Sequence, residues 1–219
     1  MPIFDRENSG SYRPDSSDNL AAPPAAPAND LQYIVRLFQR IGLARFVKPI
    51  PPRLVWAIYV FVNSFVSIAL LALLAVVSRV PFIFPSLGPT AYLLFFSPRS
   101  ETSTPRNSLI GHAIGLLCGY AAYRLMGMPA AITAPHSAFN WDRIIAAALS
   151  LAATGALMIL FNASHPPAGA TTLIVSLGII TKPMDLVIIE AAVVLLILQA
   201  FYLNRLAGVP YPRWRYASQ

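Results

Sequence analysis

The stretch Asn-Ala-Ser-His-Pro-Pro-Ala-Gly-Ala-Thr-Thr, residues 162–172, breaks a long apolar region with helix breakers and polar groups. Residues 144–181 around it contain no Asp, Glu, Lys or Arg. Pro166 and Pro167 disfavour helix at the residues before them and suit the first turn of a new helix. The stretch therefore predicts a helix that stops and restarts as a short segment over 168–181.

The rest of the chain is equally poor in charge. Of its 219 residues, 56% are hydrophobic and 11% are charged, against about 25% charged in a typical soluble domain. Between Leu54 and Pro98 the one charged residue is Arg79. Because so few charges cannot cover a soluble fold, we predict an all-α polytopic membrane protein.

The net charge of +7 does not indicate a nucleic-acid partner, because much of it is concentrated before the first apolar run. Residues 31–53 hold five basic residues and no acid, which predicts a basic amphipathic juxtamembrane segment on the cytoplasmic side. We expect an integral protein of a bacterial inner (cell) membrane with both termini cytoplasmic. Residues 1–30 are predicted to be a disordered polar tail, and residues 211–219 a cytoplasmic tail.

The apolar runs follow the order long, short, long, and then repeat it. Pro85-x-x-Gly88-x-Thr90 recurs as Pro166-x-x-Gly169-x-Thr171, an offset of 81 residues. Arg-Leu-x-Gly-x-Pro at 124–129 recurs at 205–210 with the same offset. These matches predict two similar halves, residues 54–129 and 135–210.

The short runs could cross the membrane or lie buried among the others. Counts of basic residues do not decide, because four and six crossings both place ten on the inner side and four on the outer side. A helix of 14–16 residues reaches only about 21–24 Å. We therefore predict four full transmembrane helices plus two short Pro/Gly-broken segments, with six crossings as the alternative.

The two broken segments are predicted to form an anion site. A helix start offers free N–H groups and a positive dipole end, and Thr171 and Thr172 add hydroxyl donors. His165 could donate or act as a proton-linked switch. A capped, Pro-rich bend without function is the alternative. The candidate site residues are His165, Pro166, Pro167, Gly169, Thr171 and Thr172; their counterparts Pro85, Ser86, Gly88 and Thr90; and Arg106, Asn107, His112 and Glu190.

Arg106 is either an anion donor or a loop charge at the headgroups, and Glu190 could pair with His112, with Arg106 or with a cation. His112, His165 and Glu190 could instead serve an intramembrane enzyme, but they lack a local metal-ligand spacing, and no G-x-S-x-G or P-loop motif is present. We predict no enzyme activity, no cofactor and no metal. A non-transporting scaffold and a homo-oligomer stay open.

Ser164–Thr171 resembles the HPP family of integral membrane proteins, which is named for this tripeptide. Residues 86–91 and Pro105-Arg106-Asn107 followed by Gly111-His112 resemble two further stretches of that family. The resemblance implies four membrane spans and, because plant members are linked to nitrite transport, a transporter or channel for nitrite or another small anion. Pro89 and the Ser/Thr-rich loop before Pro105 depart from the family pattern.

Overall fold

The computed structural model describes residues 51–127 and 141–215, together with Gln32, Tyr33 and Arg36. Within 51–127 and 141–215 the chain forms six α-helices and one 3-10 turn, and no strand. The helices are α1 (Pro52–Ser78), α2 (Leu87–Phe96), α3 (Pro105–Leu125), α4 (Trp141–Leu160), α5 (Ala168–Ser176) and α6 (Pro183–Leu206). The 3-10 turn covers Glu101–Ser103. The predicted tail 1–30 and most of the predicted segment 31–53 lie outside the described residues.

Proline sets several of the helix starts. Pro52, Pro105 and Pro183 each occupy the first turn of a helix, where a missing N–H costs nothing. At the start of α3 the Thr104 hydroxyl also accepts a hydrogen bond from the N–H of Asn107. The predicted long and short runs therefore fold as helices close to where the sequence placed them.

In the described part of the chain, three helices are long and apolar enough to cross a membrane: Arg53–Ser78, Trp141–Leu160 and Pro183–Leu206. The fourth predicted span, α3, has 21 residues but carries Asn107, His112 and three glycines. It packs on α4, α5 and α6, so much of its surface faces protein instead of lipid. The prediction of an integral, helical membrane protein is confirmed, whereas the number of full spans is not.

The directions in which the helices run bear on the number of membrane spans. The Tyr59 hydroxyl near the start of α1 donates to the Asn204 amide oxygen near the end of α6, at 2.6 Å. The Asn204 amide in turn donates to the carbonyl of Leu94 at the end of α2. The Tyr211 hydroxyl, beyond α6, donates to the carbonyl of Ser103, just before α3. We call the face where these groups meet the near side and the opposite face the far side.

The remaining helices alternate between these faces. Arg106 at the start of α3 donates to the carbonyl of Phe161 at the end of α4, which places both on the near side. Arg143 at the start of α4 donates to the carbonyl of Leu177 at the end of α5, which places both on the far side. The chain thus reverses direction at each helix. In a four-span arrangement the start of α3 and the end of α6 would lie on opposite sides of the membrane, whereas here both lie on the near side. The helix directions therefore favour the six-pass alternative over the preferred prediction.

Residues 211–214 of the predicted cytoplasmic tail are not free. Tyr211 is fully buried, and the carbonyl of Trp214 accepts from the N–H of Arg106 at 3.1 Å. The chain end therefore packs against the start of α3.

We expect an introduced cysteine at Ser100 to react from the same side of the membrane as one at Arg215, and from the opposite side to one at Lys182. The reason is that the loop before α3 lies beside the chain end on the near side, while α6 starts on the far side. The measurement is labelling of sealed vesicles with a membrane-impermeant thiol reagent after Cys118→Ala. Labelling of Ser100→Cys and Lys182→Cys from the same side of the membrane would support the four-span arrangement instead.

Three glycines on one face of α3 let α5 lie directly against it. A Cβ at Gly111 would stand 2.6 Å from the Cβ of His165, and one at Gly119 would stand 2.7 Å from the carbonyl oxygen of Thr172. At Gly115 the nearest atom is the carbonyl oxygen of Ala168, at 2.8 Å. The glycine face of α3 therefore allows a close approach of the α5 backbone.

Gly115→Ala should destabilise the protein by about 1–3 kcal/mol, because the added methyl group would force the α5 backbone away. Gly155→Ala is the matched control, since a Cβ there meets nothing within 4 Å. Thermal unfolding in detergent measures both variants. Equal melting temperatures would show that the α3–α5 contact is not tight in solution.

Candidate functional site

His112 lies between the two short helices. Its Nε2 is 2.9 Å from the hydroxyl oxygen of Thr90 on α2, and its Nδ1 is 2.8 Å from the hydroxyl oxygen of Thr171 on α5. All three side chains are fully buried. Thr90 and Thr171 are the residues that the 81-residue offset makes equivalent. One imidazole therefore joins the two threonines that the sequence match pairs.

His165 lies beside His112, with a distance of 5.0 Å between the ring centroids. Its Nδ1 is 2.7 Å from the carbonyl oxygen of Thr102 and 3.3 Å from the hydroxyl of Ser108. Its Nε2 is 3.4 Å from the Thr90 hydroxyl, so Thr90 stands between the two imidazoles. We call His112, His165, Thr90, Thr171 and Ser108 the histidine–threonine cluster.

The carbonyl of Thr102 fixes the polarity of one end of this cluster. A carbonyl oxygen only accepts, so Nδ1 of His165 must carry the hydrogen. In neutral His165 the Nε2 is then an acceptor, and it faces the hydroxyl of Thr90. The cluster is therefore a connected set of donors and acceptors that spans three helices.

The helix starts do not offer the free N–H groups that the sequence suggested. At α5 the N–H groups of residues 168, 169 and 170 donate to the carbonyls of residues 165, 166 and 167. At α2 the N–H groups of residues 87 and 88 donate to the carbonyls of residues 84 and 85, and Pro89 has no N–H. The turns formed by Pro85, Pro166 and Pro167 account for these bonds. The N–H groups at these two helix starts are therefore already hydrogen-bonded and are not free donors.

The two matching glycines of the broken segments, Gly88 and Gly169, have different surroundings. A Cβ at Gly169 would touch Leu151 of α4 at 3.3 Å, whereas a Cβ at Gly88 would meet nothing within 4 Å. Gly88 and Ser64 line an apolar groove of about 580 Å³ between α1 and α2. Ser86, just before Gly88, is fully buried, and its hydroxyl has no hydrogen-bond partner. The first half is the more open of the two.

The hydrogen bonds of the Arg106 guanidinium go to groups outside the histidine–threonine cluster. Its guanidinium donates to the carbonyls of Phe161 and Asn162 at 2.9 and 2.6 Å, and to the side chain of Asn107. These carbonyls belong to the last turn of α4 and the residues after it, which lack helical N–H partners. Neither sequence alternative for Arg106, an anion donor or a headgroup charge, describes this contact. Asn107 likewise reaches the carbonyl of Ser164, at 3.4 Å.

Glu190 and Thr172 also stand apart from the cluster. Both carboxylate oxygens of Glu190 are shielded and without a hydrogen-bond partner, so Glu190 pairs with neither His112 nor Arg106. The Thr172 hydroxyl bonds to the Thr154 hydroxyl at 3.0 Å. Within the described residues, no three His, Cys, Asp or Glu side chains are grouped so that they could hold a metal ion.

Sequence reasoning missed Thr102, Ser108 and Thr154. Ser108 lies one turn before His112 on α3, a spacing that could have suggested it. Nothing in the sequence indicates that the carbonyl of Thr102 folds over His165.

Arg106→Gln should lower stability by about 1–3 kcal/mol, because charge-assisted hydrogen bonds to two carbonyls are lost. Thermal unfolding in detergent measures the variant. Arg124→Gln, at the exposed end of the same helix, is the matched control. Equal melting temperatures for Arg106→Gln and Arg124→Gln would show that these hydrogen bonds do not stabilise the fold.

A family model for the HPP transmembrane region matches residues 49–212. A transmembrane protein of Dictyostelium discoideum is 27% identical over 152 residues, covering 67% of this chain and 50% of that protein. A second transmembrane protein of the same organism is 30% identical over 118 residues, covering 52% of this chain and 35% of that protein. The chain thus spans half or less of the curated relatives it matches. No solved structure matches it. The chain belongs to the HPP transmembrane family, which confirms the sequence resemblance.

Proposed function

We propose that this member of the HPP transmembrane family carries a small monovalent anion, nitrite being the leading candidate, through the histidine–threonine cluster. The observation that supports this proposal most strongly is the position of His112. It is fully buried and hydrogen-bonded to equivalent threonines at the starts of two short, broken helices. Broken helices that meet inside a membrane bundle are the usual place for a transport site.

The proposal includes two halves of inverted orientation. Helix α2 packs on α1 and on α6, while α5 packs on α4 and on α3. Each short helix thus contacts the first helix of its own half and the last helix of the other half. Because α3 starts on the near side and α6 ends there, the halves run in opposite directions. This pattern supports an inverted repeat with a site where the halves meet.

The chemistry of the cluster suits an anion. Its members supply hydroxyl and imidazole donors, and among the described residues no carboxylate is hydrogen-bonded to any of them. The starts of α2 and α5 direct the positive ends of their helix dipoles toward it, although their N–H groups are already bonded. A single negative charge placed there gains from both effects. The choice of nitrite among small anions rests on the family resemblance.

The proposed orientation puts the near side in the cytoplasm. Six passes assign ten basic residues of the sequence to the side of the termini and four to the other side. Those of the ten that the structure describes are Arg36, Arg53, Arg99, Arg106, Arg205, Arg213 and Arg215. The positive-inside rule then places both termini in the cytoplasm.

Purified protein in liposomes should take up nitrite faster than protein-free liposomes do. Replacing His112 by Gln should reduce that uptake by about tenfold or more. The reason is that the loss of one hydrogen bond to the anion costs about 1.4 kcal/mol, which corresponds to a factor of ten. Nitrate, formate and chloride are compared in the same assay, and His165→Gln is measured beside His112→Gln.

Ser150→Ala is the control, since it removes a buried hydroxyl that bonds only within α4. It should leave uptake unchanged. If folded, inserted protein takes up none of the four anions, the transport proposal is wrong, and an enzyme or a scaffold must be considered instead.

A further inference from the structure

We propose that the histidine–threonine cluster takes up one proton with each monovalent anion, so that transport is an electroneutral proton–anion symport. This inference rests on the proposed function and adds to it the coupling ion and the stoichiometry. It is carried by the order of hydrogen bonds between the two histidines.

In its neutral form the cluster allows one consistent series of hydrogen bonds that joins the two histidines. The Thr171 hydroxyl donates to Nδ1 of His112, and the Nε2–H of His112 donates to the Thr90 oxygen. The Thr90 hydroxyl has one hydrogen, which it can donate to the carbonyl of Ser86, at 3.1 Å, or to Nε2 of His165, at 3.4 Å. When it donates to His165, the series continues through the Nδ1–H of His165 to the carbonyl of Thr102. Since the carbonyl can only accept, this series runs in one direction.

An added proton fits the same atoms without moving a side chain. If Nδ1 of His112 gains a hydrogen, the Thr171 hydroxyl needs only to rotate, so that its oxygen accepts instead of donating. The hydrogen bond of 2.8 Å between these groups is kept with its polarity reversed. The proton leaves a water molecule on the entry side, forms the N–H bond of His112, and returns to water on the exit side.

Burial is what ties the proton to the anion. Every side chain of the cluster is fully buried, so an uncompensated charge of either sign is costly there. A protonated His112 and a monovalent anion together carry no net charge. Each therefore lowers the free-energy cost of bringing in the other.

Two histidines should nevertheless carry only one proton. Their ring centroids are 5.0 Å apart, a distance at which two positive charges in a buried site repel strongly. His165 already uses its Nδ1–H for the carbonyl of Thr102, and it serves best as the neutral acceptor that orients Thr90. The coupling ratio should then be one proton to one anion.

The charged residues on the elements around the cluster do not neutralise the anion in place of this proton. Helices α2 and α5 carry no charged residue. The charged residues on the other elements packed around the cluster are Glu101, Arg106, Arg124, Asp142, Arg143, Asp185, Glu190 and Arg205. Of these, Arg106 and Arg143 donate to helix-end carbonyls, and the Glu190 oxygens have no partner. None forms a hydrogen bond with a member of the cluster.

The test follows nitrite uptake and luminal pH together in liposomes that hold the purified protein and a trapped pH indicator. Protein-free liposomes give the passive entry of nitrous acid, which is subtracted. We expect one proton to enter with each nitrite ion. We also expect the rate of nitrite uptake to stay the same when potassium and valinomycin set the membrane potential. Nitrite uptake that depends on the potential and brings in no proton would overturn the symport while leaving anion transport standing.

Variants of Thr90 separate coupling from folding. Thr90→Val keeps the shape but removes the hydroxyl that joins the two histidines, so uptake should fall about tenfold. Thr90→Ser should restore both the rate and the ratio of one to one. Ser150→Ala is the control that loses a buried hydroxyl elsewhere. If Thr90→Val keeps the wild-type rate and ratio, the Thr90 bridge is not part of the coupling, and if no anion enters through the wild type, both proposals fail.

Discussion

The hydrogen bonds that join His112 to Thr90 and to Thr171 are the interaction on which the rest of the arrangement depends. A fully buried imidazole needs a partner for each ring nitrogen, and both partners come from short helices that could not cross a membrane alone. The long helices therefore serve to hold the two short ones with their starts at one imidazole. The glycine face of α3 does this for α5, because a side chain at Gly115 would displace it.

Interrupted helices leave carbonyl groups without partners, and two arginines cover them. Arg106 donates to the carbonyls that follow α4, and Arg143 donates to the carbonyl of Leu177 that follows α5. Each arginine thus closes a helix end at one face of the bundle. This pairing lets irregular backbone persist among apolar helices, where an unsatisfied carbonyl would be costly.

The sequence predicted the helices well and the contacts between them poorly. Proline interrupts a helix through its effect on neighbouring residues, so the short segments after Pro85 and Pro166 could be predicted from the sequence. Side-chain partners across helices depend on packing, so the sequence could propose His112 and Thr171 for a site but could not show that they touch. The sequence also could not show that Arg106 donates to two carbonyls after α4, because a basic residue near a polar loop does not reveal which carbonyls lie close to it. The expected free N–H groups were wrong because the proline turns already use them.

The most direct test of the central claim is a nitrite titration of ¹⁵N-histidine-labelled protein followed by NMR. The chain has three histidines, so three imidazoles are observed, and single Gln variants of His112 and His165 assign them. The account predicts that the resonances of His112 and His165 shift together with one saturation curve. Saturating nitrite that leaves both resonances unmoved in folded protein would contradict a site at the histidine–threonine cluster.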